Sequence, residues 1–439
     1  MSSSVPAPVA RPTFAEALAV WIKIGLLSFG GPTGQIALMH QELVEKRRWI
    51  SDARFLHALN YCMLLPGPEA QQLSIYVGWL LHRTWGGIVA GTLFVLPGAL
   101  LLWAISWVYV AYGQLPWLAS IFYGLKPAVM GIVAMAVLRI GKKALKNSVM
   151  WSIAAGAFAG IYFLQLPFPL IIGLAAIIGL IGGKLFPATF NVVKGHGGNA
   201  STSVIDDATH VNPRPPSWLA SCGTALLWAV LWITPVLLIA AWLGRDHVLT
   251  KEGVFFSKAA LVTFGGAYAV LPYVAQQAVE TYQWLTPAQM LDGLGLAETT
   301  PGPLILVLQF VGFLGAWAQP DPLSPIAAAT LGASLTTWCT FLPGFLFIFV
   351  GAPYIEALRG WTLLTCALSA LTAAVVGVVL NLSVWFALGT LFPAGGGVDA
   401  FAAIVSVGVF LGLKYFNWDV VRVVLACGAL GWVHGLVTG

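Results

Sequence analysis

Residues 28–68 read "SFGGPTGQIALMHQELVEKRRWISDARFLHALNYCMLLPGP", and residues 263–303 read "TFGGAYAVLPYVAQQAVETYQWLTPAQMLDGLGLAETTPGP". At an offset of 235, Phe29-Gly30-Gly31 falls on Phe264-Gly265-Gly266, Trp49 on Trp284, and Pro66-Gly67-Pro68 on Pro301-Gly302-Pro303. Over residues 23–68 fifteen of 46 positions are identical without a gap, including Lys23 with Lys258 and Gln41 with Gln276. Shared apolar character alone would not bring a lysine, a tryptophan and two glycine-proline motifs into one register, so the chain is a duplication. Further on, Pro97-Gly98 matches Pro343-Gly344 at an offset of 246, which places an insertion of 11 residues (246 − 235) near "AQPDPLSP".

The duplicated unit is suited to lipid. Of 439 residues 59% are hydrophobic and 8% charged, against about 25% charged in soluble domains. The mean hydropathy is +0.87. Runs without charge at 85–122, 148–183, 218–243 and 323–353 exceed the roughly 20 apolar residues that a spanning helix needs. They are continuous rather than alternating, which selects an all-α polytopic membrane protein over a barrel. The start, "MSSSVPAPVARPTF", lacks a basic segment followed by an apolar core and cleavage site, so the first helix is expected to stay as the insertion signal. The five cysteines stand singly, the seven histidines form no H-x-x-x-H pair, and no G-x-x-x-x-G-K-[ST] occurs. No metal, no cofactor and no ATP hydrolysis are therefore expected. The net charge of +5 is assigned to basic loops at one membrane face, not to nucleic acid.

The pattern divides into an N-terminal tail (1–13), a first repeat (14–190), a polar linker (191–217), a connecting transmembrane helix (218–248) and a second repeat (249–439). An unpaired connecting helix turns the second unit over. Inverted repeats with about 12–13 transmembrane helices are expected, broken at the FGG and PGP motifs, with one repeat rocking against the other. Arg139, Lys142, Lys143 and Lys146 read as one basic cytoplasmic loop, and Lys184, Lys194 and Arg214 as another. Under a 13-helix count Lys46-Arg47-Arg48 falls on the wrong side, unless the Pro-Gly-Pro region does not cross.

"DARFLHALNYCMLL" before Pro66 and "EAQQLSIYVGWLLH" after Pro68 are each half a span, and together they read as one crossing interrupted at mid-membrane. A helix that starts at Pro68 turns unpaired N–H groups and the positive end of its dipole toward the break, which favours an anion. The same holds for the run Gly30, Gly31, Pro32, Thr33, Gly34 and Gln35, and for Gly265, Gly266, Pro301, Gly302 and Pro303 in the second copy. Gln71 and Gln72 offer neutral donors to an oxyanion. Lys23 lies two turns before Gly30, as Lys258 does before Gly265; each either faces the break or snorkels to the interface. Lys126 has the same two placements. Glu69 and Glu298 either satisfy a helix end or carry a proton, burial disfavouring the charged form. His40 is a further candidate for proton coupling.

"SFGGPTGQIALMHQELVEKRRWIS", "NYCMLLPGPEAQQLSIYVGWLLH", "TFGGAYAVLPYV" and "AETTPGPL" resemble the chromate transporter family in its long, two-domain form, over nearly the whole chain. The resemblance implies a multi-pass protein of the bacterial inner (plasma) membrane, a secondary active transporter and not an enzyme. It would export chromate under the electrochemical gradient and confer chromate resistance. The alternative is a sulfate or other oxyanion transporter or channel that accepts chromate by mimicry. The partners implied are that oxyanion, the lipid bilayer and, in a homodimer, a second copy of the chain.

Overall fold

The computed structural model describes residues 11–113, 115–190, 217–354, 362–392 and 397–438. The expected linker, apart from Ser217, and most of the N-terminal tail lie outside the described residues.

Helix α1 (Phe14–Leu27) starts at a capping box: the Thr13 hydroxyl accepts from Glu16 N–H, and the Glu16 carboxylate accepts from Thr13 N–H. It ends where Gly30 and Gly31 take φ of 82° and 69°, a conformation that glycine reaches without steric cost. There α2 (Gly31–His40) begins and relaxes into a π-helical turn, Gln41–Lys46. Helix α3 (Asp52–Cys62), capped by Ser51, runs to the Pro-Gly-Pro motif, and α4 (Glu69–Tyr112) leaves it. Helix α4 has two arms, 69–81 and 84–112, folded at His82 and Arg83 so tightly that Gly78 rests on the Gly86 carbonyl. Then come α5 (Pro116–Ala144), α6 (Ser148–Tyr162), α7 (Phe168–Leu185) and a single turn, α8 (Pro187–Phe190).

Helix α9 (Trp218–Leu243) connects the units. The second unit repeats the order of the first with α10 (Val248–Val262), α11 (Ala267–Gln276) and its own π-helical turn, Gln277–Thr281. Next are α12 (Pro287–Thr299), a 3-10 turn (Leu304–Leu306) leading into α13 (Val307–Ala318), and α14 (Pro325–Gly351). Helices α15 (Thr362–Leu391), α16 (Ala400–Tyr415) and α17 (Val420–Thr438) complete it. In place of the tight fold at His82, the two segments α13 and α14 are joined by residues 319–324, where the insertion was expected.

The half-length helices beside each break return to the face from which they came. Lys23, five residues before Ser28, reaches Glu42, eleven beyond Gly31, at 3.0 Å. The Tyr61 and Tyr76 rings lie 6.4 Å apart, where fifteen residues of straight helix would separate them by about 22 Å. Phe255 and Tyr282 repeat the first contact pattern at 5.6 Å, and Gly293 against the Phe310 ring repeats the second. Seven described helices are long and apolar enough to cross a membrane, with α6 and α16 somewhat shorter. The difference from the 12–13 expected arises because the segments at FGG and PGP form re-entrant pairs. This geometry also resolves the basic stretch: Lys46-Arg47-Arg48 and Arg83 lie at the same end as Lys142, Lys143, Lys146 and Lys184, hereafter the basic face.

The equivalent long helices of the two units run antiparallel, as inversion requires. Gly87 packs on Phe349 and Gly91 on Phe345, while Trp103 Nε1 donates to Thr330 Oγ1 at 3.1 Å. The units are also interleaved: α5 packs on α16 and α17, and α15 on α6 and α7.

Candidate functional site

The breaks of the two units meet and exchange hydrogen bonds. Gly302 N–H donates to the Ser28 carbonyl at 2.8 Å, and Gly67 N–H donates to the Thr263 carbonyl at 2.7 Å. These are equivalent pairs at the offset of 235, so each FGG motif is tied to the PGP motif of the other unit. Gly67 and Gly302 take φ of 118° and 96°, a backbone conformation that glycine adopts without steric cost. Side chains reinforce the junctions: Gln35 Nε2 donates to the Gly302 carbonyl at 2.6 Å, and Gln72 Nε2 to the Pro66 carbonyl at 2.7 Å. The glycines of the Pro-Gly pairs in the long helices make room. Gly98 rests on the Pro301 carbonyl, and Gly344 lies beside Gln71 and Gln72.

Four helical segments begin at these junctions: α2, α4, α11 and the turn that leads into α13. None has a side-chain cap; of the helices that begin at the faces, α1, α3, α6, α10 and α12 have one, while α5, α7 and α14 have none and carry a proline in their first two positions. Uncapped first turns leave N–H donors and partial positive charge directed at the break. Two carboxyl groups stand among them. Glu69 opens α4 and lies across from Gly266; Glu298, three residues before Pro301, accepts from Tyr268 Oη at 2.5 Å. The cations whose charge reaches this cluster are Lys143 at Glu69 and Arg139 at Glu298 and Tyr268. Both lie in the last turns of α5, inside a helix where the sequence reads as a loop. The arrangement gathers four uncapped helix starts and the carboxyl groups of Glu69 and Glu298 at the junction of the two units.

A family described as chromate transporter matches residues 15–180 and 251–432, the two repeats. The chain belongs to the chromate transporter family. It is 32% identical over 442 residues to the chromate transport protein of Pseudomonas aeruginosa, covering 98% of this chain and 94% of that protein. It is 29% identical over 404 residues to the chromate transport protein of Cupriavidus metallidurans, covering 92% and 89%. A probable chromate transport protein of Synechococcus elongatus is 30% identical over 338 residues, covering 76% and 75%. No solved structure matches.

Other residues singled out in the sequence lie elsewhere in this transporter. Lys23 points away from the break to Glu42, a buried carboxylate that also accepts from Lys46 at 2.7 Å and from Arg47. Lys258 is exposed on α10. His40 is held at the basic face by Asp52 at 2.7 Å and Glu45 at 3.1 Å. Thr33 is exposed; Gly31, Pro32 and Gly34 are half-buried. Gln71 Nε2 is aimed at the Phe341 carbonyl, 3.4 Å away, and lines an apolar groove between α4 and α14. Lys126 lines a different cavity of about 310 Å³ toward the opposite face, with Tyr109, Gln289, Trp284 and Asp292. There Tyr109 Oη donates to Asp292 Oδ2 at 2.8 Å.

Asp292 and Tyr268 carry no signal that the sequence reading used, and Arg139 and Lys143 read there only as loop charges, not as neighbours of the junctions. The available signal for Asp292 is that it stands, with Glu298, as one of two carboxylates on a half-length, largely apolar helix. Tyr268 has Thr33 as its equivalent, so a search for features kept in both repeats passes over it, although its partner Glu298 stands out in the sequence.

Proposed function

We propose that this protein is a secondary active transporter that exports chromate across the bacterial inner membrane under the electrochemical gradient and so confers chromate resistance. The observation that carries this reading is the convergence of four uncapped helix starts at two hydrogen-bonded breaks. Chromate is a compact tetrahedral dianion, and backbone N–H groups at helix starts bind such ions without introducing a mobile cation. The names of the relatives supply the identity of the ion, and the positive-inside rule makes the basic face cytoplasmic.

On this reading Lys143 and Arg139 draw the anion in from the cytoplasm. Their equivalents at an offset of 246 are Gly389 and Trp385, so the attraction is built on one face only. Bound at the junctions, chromate meets Glu69 and Glu298. A protonated carboxyl there donates a hydrogen bond to an oxyanion, whereas an ionised one repels it. Protonation and anion binding thereby favour one another; one proton carried with the dianion leaves a net negative charge, so export is driven by the electrical part of the proton gradient, negative inside.

The test is labelled-chromate uptake into everted membrane vesicles, with and without an imposed proton gradient and with excess sulfate. Gradient-dependent uptake that sulfate does not suppress is expected. Lys143→Gln should raise KM about three- to tenfold with little change in maximal rate, as loss of a steering charge does. Uptake that proceeds only down the chromate gradient would make the protein a channel. Suppression by sulfate would make it a general oxyanion carrier.

A further inference from the structure

The second unit holds a carboxyl group that the anion site does not use. Glu252, on the second turn of α10, is fully buried, and neither of its carboxylate oxygens has a hydrogen-bond partner. It is seated against two glycines: a Cβ added at Gly315 on α13 would lie 2.6 Å from Oε1, and one at Gly332 on α14 would lie 2.9 Å from Oε2. On the adjoining face of α14, the Thr336 and Thr340 hydroxyls are likewise buried without partners. The fold does not require these groups. The first unit has Ala17 where the second has Glu252, Ala90 for Thr336 and Phe94 for Thr340, and it packs with them in the same place.

An ionised carboxylate buried without a cation costs several kcal/mol, so the group is neutralised by a bound cation. Helices α13 and α9 offer no titratable side chain near it. The group that faces it from α14 is the Cys339 thiol; beyond Trp284, Tyr282 stacks on the indole at 4.5 Å. No lysine or arginine is paired with it among the described residues. The close seat against the glycines suits a proton rather than a solvated metal ion. Access comes from the opposite face. The Trp284 ring packs beside Gly315 and also lines the 310 Å³ cavity that holds Asp292 and Lys126, so one indole separates that cavity from Glu252. On its other side Glu252 lies eleven residues, three turns of α10, before Thr263. The Thr263 carbonyl accepts from Gly67 two residues ahead of Glu69.

We propose that Glu252 is a proton-binding site of the outer half of the second unit, entered from the cavity behind Trp284, and that its occupancy acts through α10 on the junction at Thr263. The coupling half of this proposal rests on the transport reading; the proton site does not.

Two measurements on the full chain test it. Infrared difference spectra of the purified protein, taken between acid and alkaline pH, should show a protonated-carboxyl band that Glu252→Gln removes while Glu69→Gln leaves it. In proteoliposomes, Glu252→Gln should lose accumulation of chromate driven by a proton gradient by about tenfold or more, while exchange of labelled for unlabelled chromate stays within about twofold of wild type. Retained exchange shows that the variant is folded. Failure of wild type to exchange chromate would overturn the transport reading and leave the infrared test standing. An unchanged band would overturn the proton site, and accumulation that follows a sodium gradient rather than a proton gradient would overturn the coupling. Gradient-driven accumulation equal to wild type in Glu252→Gln would overturn the coupling.

Discussion

Glu42 shows how a single side chain can organise the basic face. Burial alone would push its carboxyl up, but hydrogen bonds from Lys46, Lys23 and Arg47 hold it well below its usual 4.5, at about 2. The group lies in the π-helical turn outside the long spans, and three cations from two segments converge on it. Its folded value lies below its unfolded one, so the stabilisation is complete above about pH 5 and is lost as pH falls from 4.5 toward 2. Glu42→Gln should therefore melt lower than wild type at neutral pH, and the two melting curves in detergent should converge near pH 2. The cations are partly exposed, which reduces the neutral-pH difference to roughly 1–3 kcal/mol. A gap that persists unchanged at low pH would mean that the cluster does not act through charge. The cluster also accounts for Lys23. An intramembrane lysine repeated by duplication reads as a ligand, but the partner that claims it, Glu42, has the neutral Gln277 as its equivalent.

The breaks are the elements on which both the fold and the site depend, and they were the most legible part of the sequence. Pro-Gly-Pro and Phe-Gly-Gly announce where helices stop, and the repeat fixes which positions correspond. What the sequence could not disclose is direction. Fourteen apolar residues have the length of half a span whether the next segment continues across or turns back, and only contacts such as Tyr61 with Tyr76 decide between them. Hydropathy is equally blind to exchange between units, because the bonds Gly302 to Ser28 and Gly67 to Thr263 join residues more than 190 positions apart. Glu252 was passed over for a related reason: it has no counterpart in the first repeat, and the duplication drew attention to shared features. The junctions yield a prediction at this scale. Gly302→Ala forces a left-handed φ on a residue with a side chain and crowds Leu306 at 3.0 Å. It should cost about 1–3 kcal/mol and reduce transport. Gly156→Ala, in open space on α6, should leave the melting temperature equal or slightly higher. Equal effects of the two substitutions in a melting series would remove any special role for the break.

At the scale of the whole molecule, the interleaving decides what can move. A duplicated transporter invites the expectation that one repeat rocks against the other. Here α5 of the first unit is packed on α16 and α17 of the second, and α15 of the second on α6 and α7 of the first. The Gly124 and Gly431 backbones meet at one of these contacts, and Gly377 rests on the Ala154 carbonyl at the other. Separating the repeats would break both contacts at once. The less costly division runs between two composite bodies. One is the body of re-entrant pairs with α9, α14 and the long arm of α4; the other is the six-helix bundle of α5–α7 and α15–α17. The junctions lie on the boundary, where α12 meets α5 and α11 meets α15, so sliding there would expose the proposed anion site to one face and then the other. Cross-linking in a background without the native cysteines separates the two schemes. A Gly295→Cys, Leu125→Cys pair spans the boundary at a contact of 3.2 Å, and a Gly428→Cys, Ile121→Cys pair lies within the bundle, between repeats, at 3.3 Å. Oxidising the first pair should stop chromate uptake until a reductant is added, whereas oxidising the second should leave uptake within about twofold, since it ties helices that move together. The reverse pattern would mean that the repeats themselves are the moving bodies and that the interleaved contacts open in each cycle.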